Sequence, residues 1–393
     1  MNILWITPDI PFNKQYGGDF DVSARIEFAH KAGVKNYLLS FTKEPINEQI
    51  QQKLQNYCER VHIVQRPQNK LYIFNKRPYS AVTRNSNKLC EVVGKFCEYT
   101  KIDIACLESL HVGEIVPLLK RVEIPFILRA PNIESQYFKE LGRAHQNLLS
   151  KFIYTWEAKK LAKYEKLIYD QSQKILCLSV YESEQLKHLY PNAYISWLPP
   201  AVKLEVPSNQ KCDSGPVIAF SGSMYIPNNV RAVEWFSHEV FPEILRSIPN
   251  AEFWIIGRKP TMVVKKLGKL RNVRITGEVS STHELLLEAR VVVAPLFHGA
   301  GVKIKILEAI GLGKPVVATS EAIIGTTLKP GYNVLVADDS ETFATLCVRV
   351  LREPKVFEDL RLRAREYFNS HHEVEAVGRK FLAELSFFDI QSP

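Results

Sequence analysis

The sequence predicts an α/β protein made of two doubly wound domains. Three observations lead to this prediction: the length of the chain, an alternation of strand and helix patterns, and one polar segment that interrupts the alternation. The chain has 393 residues, which is long for one hydrophobic core and suits two domains of about 150–200 residues each. Its 46% hydrophobic and 24% charged residues are typical of a globular protein.

Six apolar runs in the first half of the chain predict buried strands. Short continuous runs of this kind, separated by stretches of helical period, are typical of a parallel sheet that is covered on both faces. In chain order the runs are NILWITP, KNYLLSF, RVHIVQ, IDIACLES, IPFILRA and KILCLSV.

A polar, proline-rich segment then separates two series of strands. The segment is YISWLPPAVKLEVPSNQKCDSGP, which predicts a linker near residues 200–213, and the runs that follow it are VIAFSGS, AEFWIIG, VRITGEV, VVVAPL, KPVVATS and NVLVAD. We therefore predict one domain over 1–205 and a second over 206–370. Residues 371–393 are expected to form a helix that packs back on the first domain.

The charge of the chain favours an anionic partner. A net charge of +9 suits phosphate-bearing ligands, a membrane surface or nucleic acid. Nucleic acid is the weakest of these candidates, because there is no RNP-like motif and no long run of interleaved basic and aromatic residues. The opening MNILWITPDIPF predicts a strand and not a signal peptide. The cysteines form no CxxC pair, so we expect a cytoplasmic protein without a zinc site.

The stretch FHGAGVKIKILEAIGLGKPVVATS is the strongest candidate for a binding site. Gly299 and Gly301 follow a predicted strand, and glycines there let the backbone approach an anion at the start of a helix. Lys303 and Lys305 lie near that helix N-terminus, where the dipole disfavours cations unless an anion is bound. The alternative is a tight turn with solvated lysines.

Glu308 lies one helical turn beyond Lys305. A carboxylate beside a phosphate site is suited to a ribose diol, which donates two hydrogen bonds. The alternative is an ion pair with Lys305 on a solvated face, but the apolar neighbours of Glu308 argue against full exposure.

The segment GAGVKIKILEAIGLGKPVVAT resembles the donor-binding signature of retaining glycosyltransferases of the GT-B fold, glycosyltransferase family 4. The resemblance covers residues 216–350 and includes IAFSGSMYIPNNVRAVEWF, PNAEFWIIGRKP, VRITGEVSSTHELLLEARVVVAPL and GTTLKPGYNVLVADD. PDIPFNKQYGGDFDVSARIEFAHKAG and RAPNIESQYF resemble the acceptor-side loops of the family more loosely. The implied fold has two Rossmann-like domains with a cleft between them.

The resemblance also implies a reaction. A sugar would move from a nucleoside-diphosphate donor to a hydroxyl of a glycan or lipid-linked acceptor, with retention at the anomeric carbon, as in bacterial-type surface polysaccharide synthesis. Neither a cofactor nor a metal is expected, and the residues would stabilise the leaving diphosphate. The residues with an expected catalytic role are Lys303, Lys305, Arg129 and Asn132. Those expected at the donor are Gly17, Gly18, Gly222, Ser223, Met224, Arg258, Gly277, Glu278, Val279, Gly299, Ala300, Gly301, Val302 and Glu308.

The sequence departs from the family pattern at three places. Ala300 stands where many members have a glutamate that contacts the donor sugar, and Pro131 stands where the first-domain loop usually has a histidine. The stretch SGSMYIPNN lacks the usual Arg and Lys, so Lys303 and Lys305 would supply that charge with help from Arg258 or Arg231. These departures leave open a non-catalytic donor-binding partner of another glycosyltransferase. A nucleotide-sugar epimerase is a weaker alternative.

Two further segments have both a functional and a structural interpretation. Gly17 and Gly18 precede a helix expected to begin near Phe20 with Asp19 as its cap, either close to the donor phosphates or as an ordinary turn. The stretch KFIYTWEAKKLAKYEKLIYDQ is aromatic and basic with helical period. It could lie peripherally on the inner face of an anionic membrane, or it could be a core face with solvated lysines.

Overall fold

The computed structural model describes residues 1–13, 17–85, 89–144, 147–205, 215–299 and 301–387. The chain divides into two compact units: Met1–Ala201 together with the segment that begins at Val374, and Val202–Glu373. Each unit is an α/β structure with its own parallel sheet. The predicted fold class, two doubly wound domains, is confirmed.

With one exception, the strands of the two sheets follow the predicted apolar runs. In the first unit they are β1 Asn2–Thr7, β2 Lys35–Thr42, β3 Arg60–Gln65, β4 Ile104–Leu107, β5 Phe126–Ala130, β6 Lys174–Cys177 and β7 Tyr194–Trp197. In the second unit they are β8 Val217–Ser221, β9 Glu252–Ile256, β10 Val273–Gly277, β11 Val291–Ala294, β12 Val316–Ala318 and β13 Leu335–Val336.

Both sheets have the same doubly wound topology. The strand orders are β3-β2-β1-β4-β5-β6-β7 and β10-β9-β8-β11-β12-β13, and the neighbouring strands pair in parallel. The direction of winding reverses between β1 and β4 in one sheet and between β8 and β11 in the other. In such sheets the crevice outside the carboxyl ends of the strands, at the reversal point, is the usual place for a ligand.

Helices connect the strands in both units. They are α1 Gly17–Lys31, α2 Glu48–Tyr57, α3 Tyr79–Val82, α4 Leu89–Tyr99, α5 Val116–Arg121, α6 Glu134–Ala144, α7 Leu148–Tyr169, α8 Val180–Leu189, α9 Pro227–Trp235, α10 Phe241–Ser247, α11 Met262–Leu267, α12 Thr282–Glu288, α13 Ile304–Gly311, α14 Ser340–Arg352, α15 Glu358–His371 and α16 Val374–Leu385. Local capping sets several starts: Asn47 accepts a hydrogen bond from the Ile50 amide, and Asp339 accepts one from the Thr342 amide.

Strand β7 corrects the sequence interpretation, which assigned its residues to the linker segment. Tyr194–Trp197 instead form the edge strand of the first sheet, parallel to β6. The strand is short and only partly buried, and prolines follow it closely. A half-exposed edge strand lacks the continuous apolar run by which the central strands were predicted.

The C-terminal helix α16 belongs to the first unit. Phe381 packs against Trp5 of β1, with ring centroids 5.2 Å apart. The ammonium of Lys174 contacts a carboxylate oxygen of Glu384 at 2.8 Å. Gly378 is needed at its position because the Phe28 ring of α1 occupies the space that a β-carbon would fill.

Helix α1 begins earlier than the sequence predicted. The expected start was near Phe20, with Asp19 as the cap, but the helix begins at Gly17. Asp19 therefore lies within the first turn and not before it. Gly17 and Gly18 form the beginning of the helix itself.

Candidate active site

The turn after β8 is the backbone centre of the candidate site in the second unit. The Gly222 amide donates to the Ile256 carbonyl at 2.9 Å, and the Met224 amide donates to the Arg258 carbonyl at the same distance. These bonds join the turns that follow β8 and β9. Gly222 has a φ of +156°, and a β-carbon there would meet the Asn229 Nδ2 and Lys305 Nζ atoms at 2.8 Å each. Glycine therefore lets the turn lie against both side chains.

Lys305 presents its ammonium to this turn. It lies in the first turn of α13, and its Nζ atom donates to the Asn229 side-chain oxygen at 2.7 Å. The same ammonium lies 4.0 Å from the centre of the Phe220 ring, close enough for a cation–π interaction. Burial lowers the pKa of Lys305 to about 7; Lys303 adds to this effect and Glu308 opposes it. An anion bound beside the ammonium would relieve this destabilisation of the charge.

Asn229 orients Lys305 and was not predicted from the sequence. Its side chain is 8% exposed, and its Nδ2 group donates to the Ser223 carbonyl at 3.0 Å. This bond turns the side-chain oxygen toward Lys305. The only sequence signal was its place in SGSMYIPNN, where the family's usual charged residues are missing.

Lys303 makes different contacts from Lys305, and its predicted catalytic role stays a prediction. It lies immediately before α13, and its ammonium donates to the Gly299 and Gly301 carbonyls at 2.5 and 2.7 Å. These bonds close the glycine loop. Gly299 and Gly301 have φ values of +120° and +76°, which favour glycine. Val302 is half-buried against the core, and Ala300 lies outside the described residues.

Glu308 lies on the same helix, half-buried, and faces a histidine of α12. A carboxylate oxygen of Glu308 is 3.6 Å from the Nε2 atom of His283. The Nδ1 atom of His283 accepts a hydrogen bond from the Glu205 amide at 3.0 Å. The sequence analysis missed His283, because nothing in the local pattern around it indicated a contact with α13.

The remaining donor-side predictions lie at neighbouring strand ends. Gly277 ends β10 with a φ of +69°. It is followed by the exposed Glu278 and the half-buried Val279. Arg258 lies half-buried in the turn after β9, with its carbonyl bonded to Met224. Arg231 is exposed on α9.

Arg129 of the first unit is buried, and its side chain contacts other groups of the protein. It is 2% exposed and donates to the Leu198 carbonyl at 2.6 Å and to an Asp21 carboxylate oxygen at 3.0 Å. Asn132, in contrast, is half-buried two residues after β5 and hydrogen-bonds the Glu134 side chain. The predicted catalytic roles of both residues stay predictions.

A charged cluster at the carboxyl ends of the first sheet was also missed by the sequence analysis. Arg66 and Arg84 donate to the two carboxylate oxygens of Asp9 at 2.9 and 3.0 Å. Both arginine side chains are buried, whereas the Asp9 side chain is about half exposed. Burial lowers the pKa of Arg84 to about 10, although Asp9 opposes the effect. Burial and the nearby Glu165 raise the pKa of Glu134 to about 7.

The described ranges contain neither a cluster of metal-binding side chains nor a membrane-spanning helix. No group of three or more His, Cys, Asp or Glu side chains is placed to hold a metal ion. No helix in these ranges is both long and apolar enough to span a lipid bilayer.

The sequence of the second unit is similar to a known protein family. Residues 215–353 match the family model described as Glycosyl transferases group 1. This range contains the turn after β8, the glycine loop and α13. The match supports a glycosyltransferase.

Similar proteins extend the comparison to the whole chain. A Klebsiella pneumoniae protein described as an uncharacterized 44.6 kDa protein in the cps region is 23% identical over 388 residues, covering 95% of this chain and 97% of the relative. Sucrose-phosphate synthase from Thermosynechococcus elongatus has a TM-score of 0.72 at 15% identity, with 100% of both chains covered. Anabaena HepE in complex with UDP has a TM-score of 0.66 at 12% identity, covering 98% of this chain and 100% of HepE. The GT-B fold is thereby confirmed, while family 4 and the retaining mechanism stay predictions.

The structure brings together part of the residue set predicted for the donor site. Gly222 and Lys305 are in direct proximity, and Lys303 binds the loop of Gly299 and Gly301. The ammonium of Lys305 hydrogen-bonds the neutral side chain of Asn229. The turn at Gly222 and the half-buried lysine can stabilise a diphosphate through the Ser223 amide and one positive charge.

Proposed function

We propose that this protein is a retaining glycosyltransferase of family 4. It moves a sugar from a nucleoside-diphosphate sugar to a hydroxyl of a glycan or glycolipid acceptor. The observation that carries the proposal is the position of the Lys305 ammonium, which lies against Gly222 and hydrogen-bonds neutral Asn229. The match of residues 215–353 to the Glycosyl transferases group 1 family model supports the same function.

The donor contacts follow from this position. Lys305 and the Ser223 amide bind the diphosphate, because the Gly222 and Met224 amides on either side already donate to backbone carbonyls. Amides of the loop that Lys303 closes add to these contacts. Glu308 accepts hydrogen bonds from the ribose, and the turn from Gly277 to Val279 borders the base. The complex of HepE with UDP supports a nucleoside diphosphate as the ligand class.

The chemistry needs charge stabilisation more than a protein base. The bond between the anomeric carbon and the diphosphate oxygen breaks, and a bond to the acceptor oxygen forms on the same face of the sugar. The leaving diphosphate takes the proton of the acceptor hydroxyl. Pro131 has no proton to exchange, so this route suits the sequence. Lys305 stabilises the developing negative charge as a cation, and we propose that no metal is required.

Surface polysaccharide synthesis is the proposed process. The relative encoded in a cps region supports it. Arg129 and Asn132, at the end of β5, are proposed to organise the acceptor side. Arg129 would do so by fixing the end of β5, and the loop that follows it, to Asp21 and the Leu198 carbonyl. Asn132 is half-buried, whereas Arg129 is fully buried, so Asn132 is the one proposed to contact the acceptor.

A non-catalytic donor-binding partner is the second candidate function. Pro131, in place of the usual histidine, is the observation that favours it. Both candidates predict donor binding, but only the enzyme transfers or hydrolyses the sugar without another protein. Turnover by the purified chain therefore separates them.

We also propose that α7 brings the protein to an anionic membrane surface. Its inner face is buried in the core through Leu161, Tyr164 and Ile168, which explains part of the aromatic pattern. Its outer face carries four apolar side chains that are 48% to 81% exposed: Leu148, Leu149, Phe152 and Trp156. Three exposed lysines continue the same face at helical spacing: Lys159, Lys163 and Lys166.

A neighbouring segment adds to this surface. The Lys160 ammonium donates to the Ile73 carbonyl at 2.8 Å, which holds the short helical turn 70–74 against α7. That turn exposes Leu71 and Phe74, at 67% and 80%. Apolar side chains beside lysines fit the interface of an anionic bilayer.

Vesicle co-sedimentation tests the membrane contact. Wild-type protein should bind phosphatidylglycerol vesicles more strongly than phosphatidylcholine vesicles. The Phe152→Ser, Trp156→Ser double variant should bind at least about fivefold less. Tyr181→Ser, Leu189→Ser is the matched control, because it removes two exposed apolar side chains of α8. Equal binding by both double variants would contradict the assignment to α7.

A thermal-shift screen against nucleoside diphosphates and their sugars tests the donor site. A ligand at 100 times its dissociation constant should stabilise the fold by about 2.7 kcal/mol. The best ligand then serves as donor in a transfer assay with the purified chain. If no nucleotide shifts the melting temperature, the proposed function is wrong.

A further inference from the structure

His283 is held in one orientation by two contacts of different kinds. Its Nδ1 atom accepts the Glu205 backbone N–H at 3.0 Å. Its Nε2 atom lies 3.6 Å from a carboxylate oxygen of Glu308. The His283 side chain is 12% exposed and that of Glu308 is 28% exposed, so water screens their contact only in part.

The Glu205 bond also selects the tautomer of the imidazole. A backbone amide can donate only to a nitrogen without a proton, so Nδ1 is the acceptor. The proton of the neutral ring is then on Nε2, which faces Glu308. A movement of a few tenths of an ångström would convert the 3.6 Å contact into a hydrogen bond.

We infer that His283 is a positioning residue that orients the Glu308 carboxylate for recognition of the ribose of the nucleotide. One carboxylate oxygen faces the imidazole N–H, which fixes the rotation of the carboxylate and directs the second oxygen to the ligand. The inference rests on the proposed function, because it needs Glu308 at the nucleotide ribose. It adds the residue that makes this contact selective.

The consequence is discrimination between ribose and 2′-deoxyribose. An oriented carboxylate accepts hydrogen bonds from both ribose hydroxyls, and removal of one hydroxyl leaves a charged acceptor without its donor. Without the imidazole contact, the carboxylate can rotate toward solvent. The ligand with both hydroxyls then loses its advantage, while the diphosphate contacts at Lys305 are unchanged.

Two substitutions separate the contacts of His283. His283→Gln reaches the Nε2 position and can donate to Glu308. His283→Asn reaches only the Nδ1 position, so it can accept from the Glu205 amide but cannot reach Glu308. Both are polar residues in the same first turn of α12, so a general loss of structure should affect them alike.

The experiment measures dissociation constants by calorimetry for UDP, GDP, ADP and CDP and for their 2′-deoxy counterparts. For the tightest pair, wild-type protein should prefer the ribonucleotide by about tenfold or more. His283→Gln should keep most of this ratio, and His283→Asn should reduce it at least about threefold. Glu308→Gln should reduce the ratio in the same direction.

The outcomes distinguish the inference from the proposed function. A wild-type ratio that His283→Asn leaves unchanged overturns the role of His283 and leaves the donor site intact. A uniform loss of affinity for both nucleotides, with the ratio kept, shows a merely structural histidine and also overturns it. If wild-type protein binds none of the four diphosphates, or binds them without a ribose preference, the proposed donor site or the role of Glu308 is itself wrong, and the inference with it.

Discussion

The ammonium of Lys305 donates a hydrogen bond to the side-chain oxygen of Asn229 at 2.7 Å. Both groups lie against the α-carbon of Gly222, which leaves no space for a side chain. Asn229 lies 76 residues before Lys305 in the chain, and α9 and α13 bring the two together. A neutral partner holds the lysine in place without neutralising its charge, so the charge remains available to an anionic ligand.

A carboxylate at position 229 should compete with the ligand. Asn229→Asp places a negative charge beside the Lys305 ammonium, which stabilises the protonated lysine but repels a diphosphate. We expect donor affinity to fall at least about tenfold, and thermal stability to fall because the Asn229 Nδ2 donor to the Ser223 carbonyl is lost. Asn250→Asp adds the same charge at an exposed position of the same unit and should change neither. Full donor affinity in Asn229→Asp would contradict the assignment of Lys305 to the diphosphate.

Gly222 should not tolerate alanine. The new β-carbon would meet the Asn229 and Lys305 nitrogen atoms at 2.8 Å, so both side chains must move. We expect donor affinity to fall at least about tenfold and the melting temperature to fall by several degrees. Gly94→Ala is the control, since its added carbon would meet nothing within 4 Å beyond its neighbours and the backbone of its own helix. A Gly222→Ala protein with normal affinity would show that the turn does not contact the donor.

Donor binding should weaken as the pH rises through about 7. Burial lowers the pKa of Lys305 to about 7 in the free protein, and a bound diphosphate raises it again. Affinity is therefore complete below pH 7 and falls above it, by up to about tenfold per pH unit. A nucleotide sugar is the suitable probe, because the terminal phosphate of a free diphosphate titrates in the same range.

Lys305→Arg provides the control for this pH dependence. Arginine stays protonated across the range, so its affinity should be independent of pH between 6 and 9, whatever its absolute value. The same slope in Lys305→Arg and in wild-type protein would assign the titration to another group.

The buried charges of the first unit should be important for stability. The Arg25 guanidinium donates to Asp21 and Glu108 and is buried with them. Arg25→Met leaves two buried carboxylates without this partner and should cost about 3–5 kcal/mol of unfolding free energy. Arg246→Met removes an exposed pair with Glu243 and should cost less than about 1 kcal/mol. Chemical denaturation measures both, and equal effects would contradict the prediction.

The same cluster predicts a loss of stability in acid. Burial alone raises the pKa of Asp21, but Arg129 and Arg25 outweigh it and hold the pKa below its ordinary value of 3.8. The stabilisation is therefore complete above about pH 4 and is lost as the pH falls through the lowered pKa. In Asp21→Asn, denaturation measured between pH 5 and 2 should show a smaller pH dependence than in wild-type protein.

The fold was predictable because its central strands are buried on both faces. Continuous apolar runs such as those of β1 and β8 can be recognised in the sequence alone. Strand β7 was missed because an edge strand buries only part of its residues. Lys305 and Glu308 were visible as charges within an apolar helix.

The contacts that complete the site were not visible in the sequence. Asn229 and His283 are polar residues without a distinctive spacing, and their partners are distant in the chain. Their importance follows from burial and hydrogen bonding, which the fold alone determines. Lys303 was expected to act like Lys305, but its place before α13 directs its ammonium back to the glycine loop.

The most direct test of the central claim is sugar transfer by purified wild-type and Lys305→Met proteins. The donor is the nucleotide sugar found in the thermal-shift screen, and nuclear magnetic resonance determines the anomeric configuration of the product. Lys265→Met, an exposed lysine of α11, is the matched control. We predict a product with retained configuration and a fall in kcat/KM of at least about 100-fold in Lys305→Met alone. Unchanged turnover in Lys305→Met, or a product of inverted configuration, would contradict the account.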